Sequence, residues 1–306
     1  MSDAIIVLNA GSSSLKFSIY EVADEELTIA SRGQIEGLGT SPHFKAKDRK
    51  GTVLADADLT TTAGRFGHQE AFAHLVQWAR EEFGAKLSPV GVGHRVVHGG
   101  AEFIEPVVIT DEVVEKLDRL VPLVPLHQPH NLAGIRAVTS LRPDLPQVAC
   151  FDTAFHRGRA KVTERLGVPD ELFQRGVRRW GFHGLSYASI SEQLRQVAPD
   201  LANGRVIVAH LGSGASMCAM KGGRCVDTTM GFSALDGLPM GTRCGSLDPG
   251  VVLFLMQSTS REDVESLLYK KSGLLGISGI SNDVRQLLAS ESPRAAEAIK
   301  IGRAHV

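Results

Sequence analysis

Cysteine is scarce and scattered: four in 306 residues, at positions 150, 218, 225 and 244, with no CxxC pair and no zinc-like spacing. That argues against a disulfide framework and for a reduced chain with structural thiols, expected in the cytoplasm. Long apolar runs are also missing. The longest unbroken aliphatic stretch, VVLFLM at 251 to 256, falls far short of the roughly 20 residues that cross a bilayer, so no membrane association is expected. Neither sign of charge dominates. With 33 Lys and Arg against 34 Asp and Glu the net charge is -1, so no overall basic field points to nucleic acid, and any bound anion must be held by a local cluster. The common phosphate loops are absent as well: no GxxxxGK[ST] occurs, and neither GVGHRV nor GSGASM completes GxGxxG. A bound nucleotide would therefore not use a Walker or Rossmann site.

What is present is an ordinary globular composition, 43% hydrophobic and 22% charged, with length enough for two domains. Short strand-like runs (AIIVLN, LKFSIY, LTIASRGQIE) come first, and strands then alternate with helical patterns. HQEAFAHLVQWAREEF has helical apolar spacing, VGVGHRVV reads as a strand, TDEVVEKLDRL starts with Thr110 as an N-cap, and PQVACFDTAF is a strand ending near Asp152. This predicts mixed α/β architecture with ligand residues at strand ends. The segment IIVLNAGSSSLKFSI from residue 5 aligns without gaps on VIVAHLGSGASMCAM from residue 206, each reading strand, glycine turn, strand. Two chance hairpins would give the same pattern. A duplicated domain would instead supply two glycine turns whose N–H groups can hold phosphates.

Several residues stand out, each with a plainer reading beside it. Lys16 shares a strand face with Ser14, near Ser12 and Ser13, as in a phosphate cradle or merely a solvated hairpin. His94 and His98 could suggest a metal pair, but no third ligand is in view, so zinc is not expected there. Arg95, on an apolar strand, needs an anionic partner. Asp152 closes a buried strand and must be paired, metal-bound or a helix cap. His183, between Gly181 and Gly184 before a helix expected from about Ser186, suits a donor aimed at a ligand or a satisfied polar group. The glycine-rich stretch TTMGFSALDGLPMGTRCGSLDPG, carrying Arg243, is too apolar for disorder and is expected to line a cleft.

Taken in order, LNAGSSSLKF, GHRVVHGG, PLHQPHN, FDTAFH, GFHG, AHLGSGAS, GLPMGTRCGSLDPG and SGISNDVR closely resemble the acetate kinase family of the acetate and sugar kinase, Hsp70 and actin superfamily. The resemblance implies two actin-like (ribonuclease H-like) α/β domains around a central cleft. Residues 1–152 would form the acyl- and phosphate-binding domain and 153–300 a nucleotide-binding one. It implies reversible phosphoryl transfer from ATP to acetate with Mg²⁺, or Mn²⁺ in its place, in a cytoplasmic homodimer. Asn9 would lie at the metal, and Ser12, Ser14 and Lys16 at the nucleotide phosphates. Arg95 would hold the acyl carboxylate, and Val97, Leu126 and Phe182 the acyl methyl group. Asp152, His183 and Arg243 would be catalytic. His210, Leu211, Gly212, Ser213 and Gly214, with Asp283, Val284 and Arg285, would contact ATP.

Three departures from the family pattern matter. Ser213 stands where the motif commonly has Asn, and Ala234 where many members have Pro, which would make the acyl pocket roomier. The chain also stops soon after AAEAIK, before the family's later GGIGEN-type loop. The second domain is therefore expected to be incomplete and the chain as given to be nearly inactive. The last six residues, IGRAHV, back-translate to a common sequencing-adapter sequence, so 301–306 are expected to be a non-native tail. A propionate kinase is the alternative within the class, and a non-catalytic nucleotide-binding module the alternative outside it. Arg95, Asp152, His183 and Arg243 together argue against the latter, which needs no acyl clamp.

Overall fold

Alternating apolar and polar residues from Ser2 onward make a twisted antiparallel ribbon. Strand β1 (Ser2–Ala10) turns at Gly11 into β2 (Ser14–Ala23), followed by β3 (Glu26–Glu36), β4 (His43–Lys47) and β5 (Val53–Asp58). The computed structural model describes residues 1–23, 26–59 and 66–304. The chain divides into two compact units, Met1–Asp152 and Thr153–Val306.

In the first unit, helix α1 (His68–Phe83) covers the helical pattern seen in the sequence, and β6 (Leu87–Val96) then returns parallel to β1. Next come β7 (Val107–Val108), α2 (Asp111–Asp118), α3 (Gln128–Leu141) and β8 (Gln147–Phe151). Thr110 caps α2, its hydroxyl accepting from the Val113 N–H at 3.3 Å. One eight-stranded mixed sheet results, in the order β5-β4-β3-β2-β1-β6-β8-β7. The even positions of β1 (Ile6, Leu8) and the odd positions of β2 (Leu15, Phe17) face α1 and α3, where Phe72, Leu75, Trp78 and Val138 complete the core. Period-two alternation therefore turns Asn9 and Lys16, paired in the hairpin register, to the opposite face.

His94 belongs to the core side of that sheet. It is buried, and its Nε2–H donates to Gln147 Oε1 at 2.8 Å, while the Gln147 amide donates to Thr139 Oγ1. Burial pushes its pKa down to about 4, against the hydrogen bond to Gln147, which raises it. The unfolded chain takes up this proton near 6.5 and the folded chain only near 4. The stability contributed by the neutral ring is therefore complete above pH 6.5 and lost between there and about 4, on the order of 3 kcal/mol. Urea unfolding should show that decline, and His94→Gln should flatten it. An unchanged slope in the variant would assign the acid sensitivity to another group. His98 lies beyond the end of β6 and its Nδ1 accepts from the Gly100 N–H at 2.9 Å.

The second unit has a three-stranded antiparallel sheet of β9 (Arg205–Leu211), β10 (Ala215–Lys221) and β11 (Arg224–Thr228), with β10 central. Tyr187, on the helix Gly184–Val197, packs on Cys218, Met220 and Cys225. A second cluster joins Leu274 and Leu287 to Ala295 and Ala298 of the last helix, Pro293–Ala304. That helix runs through the first four residues of the expected tail, and 305 and 306 lie outside the described residues. Among the described residues, no helix is long and apolar enough to cross a membrane.

Candidate active site

Three neighbouring strands of the first unit deliver their carboxyl ends to one place. Leu8 of β1 registers with His94 of β6, and Arg95 of β6 with Cys150 of β8, so Asn9, Arg95 and Asp152 come together although 86 and 57 residues separate Arg95 from the other two. Arg95 Nε donates to both Asp152 oxygens, at 3.2 and 3.1 Å, and Nη2 donates to Oδ2 at 2.5 Å. Its Nη1 donates to Asn9 Oδ1 at 3.3 Å. Burial works against the guanidinium charge, yet the carboxylate beside it raises the Arg95 pKa above its usual value. Asp152 is thus an ion-pair partner and not a helix cap. Thr153, the next residue, precedes the short turn Ala154–His156.

The backbone around this trio is held by residues that the sequence reading left out. Asn131, buried on α3, accepts from the Val97 N–H at 2.9 Å and donates to Ala10 O at 2.8 Å, tying the ends of β6 and β1 together. His68 Nε2 sets the glycine turn by donating to Gly11 O at 2.8 Å, and the Gly11 N–H closes it onto Ser14 O. Ser12 and Lys16 are exposed beside this turn. Val97 is buried and Leu126 half-buried. PLHQPHN carried the only signal for Asn131, a polar residue on the apolar face of a helix.

The second unit builds its own set around the other glycine turn, where the Gly212 N–H donates to Gly214 O at 3.1 Å. A Cβ on Gly214 would lie 3.4 Å from His183 Nε2 and 3.5 Å from Arg243 Nη1, so the turn brings those two side chains together. His183 has φ 61°, the only positive φ of a non-glycine residue among those described, and directly precedes the helix Gly184–Val197, which starts two residues earlier than expected. Such backbone strain persists where surrounding contacts impose it. Here the His183 Nδ1 meets Ser216 Oγ at 2.8 Å, the Tyr187 hydroxyl bonds the same oxygen, and the ring stacks on His210 with centroids 4.1 Å apart. His210 in turn meets Ser186 Oγ at 2.9 Å. Ser216 and Tyr187 escaped the sequence reading because a Ser and a Tyr in apolar segments carry no local signal.

Arg243 Nη1 donates to Ala234 O at 3.0 Å, so Ala234, buried, is a support for Arg243. The Gly241 N–H donates to Ser213 O at 3.2 Å, and a Cβ on Gly241 would meet Asn282 at 3.2 to 3.3 Å. This sets the segment before Asp283 against the second turn. Asp283 itself caps the helix Val284–Leu288 and pairs with exposed Arg285. Leu211, Gly212 and Ser213 are exposed, and Phe182 is buried with its carbonyl accepting from His156 Nε2.

The sequence model of the Acetokinase family matches residues 4–304. The chain belongs to that family. Over 307 aligned residues it is 52% identical to the acetate kinase of Rhodopseudomonas palustris (strain ATCC BAA-98 / CGA009), covering 98% of this chain and 76% of that one. It is 40% identical to the acetate kinase of Rickettsia felis, covering 98% and 77%. Among solved structures, the acetate kinase of Porphyromonas gingivalis superposes with a TM-score of 0.85 at 34% identity over 99% of this chain and 77% of that one. A propionate kinase from Francisella tularensis superposes with a TM-score of 0.90 at 35% identity over 100% and 78%. The α/β fold expected from the alternation of strands and helices is thereby established.

Proposed function

We propose that this protein, at the length of its relatives, catalyses ATP + acetate ⇌ ADP + acetyl phosphate by direct in-line transfer. Family membership supports the activity, and one observation carries the assignment of parts: Asn9, Arg95 and Asp152 converge at the ends of three adjacent strands. Acetate is already ionised at neutral pH, so its attack needs no general base. Asp152, with both oxygens on Arg95, then serves to orient the guanidinium that receives the acyl carboxylate and does not take a proton. In the second unit His183 and Arg243 would neutralise the equatorial oxygens of the transferring phosphoryl group, the main requirement of this chemistry. Each glycine turn carries N–H groups of the kind that hold phosphates, and Ser12, Ser14 and Lys16 of the first and His210 to Gly214 of the second would serve as phosphate-binding residues. Asp283, Val284 and Arg285 extend the nucleotide side.

The oxygen donors of Asn9 and Asp152 fit a hard divalent cation, since they are an amide oxygen and a carboxylate side by side on one guanidinium. These two residues would hold Mg²⁺, with Mn²⁺ as a substitute, and the ion would supply charge neutralisation on the phosphates. A cytoplasmic homodimer belongs to the same reading.

An acyl-hydroxamate assay with Mg-ATP on the chain extended to the length of its relatives, of which it spans 76% in the Rhodopseudomonas palustris case, tests the proposal: acetate should support turnover and omission of either substrate should abolish it. Superposition on a propionate kinase favours comparing the two acids directly. One methylene is worth about 1–3 kcal/mol in a pocket, so kcat/KM should favour acetate by roughly 10-fold or more. A ratio reversed toward propionate would replace the substrate assignment.

A further inference from the structure

Behind the His183 support, the second unit encloses three soft donors. His156 Nδ1 lies 3.1 Å from Cys225 Sγ, Cys225 Sγ lies 3.5 Å from Cys218 Sγ, and all three atoms are within 4.8 Å of one another. All three residues are buried. We propose that His156, Cys218 and Cys225 form a site for a thiophilic d¹⁰ cation, Zn²⁺ in particular.

The orientation of the imidazole is the first argument. Its Nε2–H donates to Phe182 O at 2.9 Å, which commits Nδ1 to the sulfur side. Ligating histidines are held in this way by a backbone carbonyl on the other ring nitrogen. Gly181 keeps the ring there: at its φ of 79° a Cβ would stand 2.7 Å from His156 Cδ2. The distances are the second argument. Tetrahedral Zn–S bonds of about 2.3 Å set sulfurs about 3.8 Å apart, close to the spacing present, whereas a disulfide needs about 2.05 Å. Strand geometry disfavours that closure. Cys218 registers with Thr228, and Cys225 with Met220 across a bulge, so the two cysteines are diagonal neighbours and not a directly opposed pair.

Charge is the third argument. Two thiolates and a neutral imidazole carry a charge of about −2, which a divalent cation cancels. The nearby Arg159 is held separately by His156 O, Arg179 O and Trp180 O, and pairs with Asp227. Occupancy would pin β10 and β11 to the turn Ala154–His156. Because β10 also carries Ser216, the metal would stiffen the seat of His183 without touching substrate.

The test uses the intact, chelated and reduced chain titrated with Co²⁺ as the spectroscopic probe. Sulfur-to-cobalt charge-transfer absorption should saturate at about one equivalent, be bleached by one equivalent of Zn²⁺ and persist in excess Mg²⁺, and Zn²⁺ should raise the melting temperature. Cys218→Ser and Cys225→Ser should each weaken binding by more than about 100-fold, beyond the loss caused by an outer-shell partner. Absence of thiolate charge transfer in the unsubstituted chain overturns the proposal whatever the variants do. So does Co²⁺ binding that survives both substitutions.

Discussion

Arg243→Ala should lower kcat by about 10²–10³-fold, the usual cost of one preorganised donor to a developing anion, with each KM changed by less than about threefold. The guanidinium is anchored by its Nη1 to Ala234 O and lies against the Gly214 turn opposite His183 Nε2. Its position is set before substrate arrives, which is the condition for a contact that strengthens in the transition state. Arg243→Lys retains the charge but loses the planar fork and the anchor, so it should recover only part of the rate. A fall in kcat smaller than about tenfold for Arg243→Ala would make this residue a brace of its loop.

Arg95→Ala should act on two measurements at once. Steady-state kinetics should show a higher KM for acetate with ATP binding largely spared, by roughly 10- to 100-fold for a lost charge-assisted bond of about 1.5–3 kcal/mol. The same substitution strands the carboxylate of Asp152, which is 2% exposed. Breaking a fully enclosed pair costs about 3–5 kcal/mol, and because the Arg95 side chain is 35% exposed the loss here should be nearer 2 kcal/mol. Adding Asp152→Asn to Arg95→Ala removes the stranded charge, so the double variant should unfold later than Arg95→Ala alone without recovering the acetate KM. Additive destabilisation in the cycle would show that the two side chains do not support one another in solution. An unchanged acetate KM in Arg95→Ala would remove this arginine from the acyl side.

How much of this was legible beforehand follows the range of each signal. Periodicity is local, and it placed α1 at His68–Phe83 and the Thr110 cap of α2 directly. The two glycine turns were legible for the same reason, since each closes between residues two or three apart. For Asp152 two roles were open, and the structure decided: it pairs with an arginine and caps no helix. Asp283, expected only at the nucleotide, caps the helix Val284–Leu288. Ala234, expected only to widen a pocket, also supports Arg243 through its carbonyl.

By itself, then, the order of residues determined strands β1, β2, β3, β6 and β8, helices α1 and α2, the two glycine hairpins and the set of motifs that identify the family, because all of these depend on neighbours along the chain. Only the tertiary structure decided that Asn131 clamps Ala10 to Val97 across 121 and 34 residues. It also decided that Ser216 and Tyr187 hold a left-handed His183. Two of four scattered cysteines without a metal spacing likewise came together beside an imidazole. Such groupings arise from strand register and crossover connections, which set residues far apart in sequence at hydrogen-bonding distance, and no spacing along the chain records them.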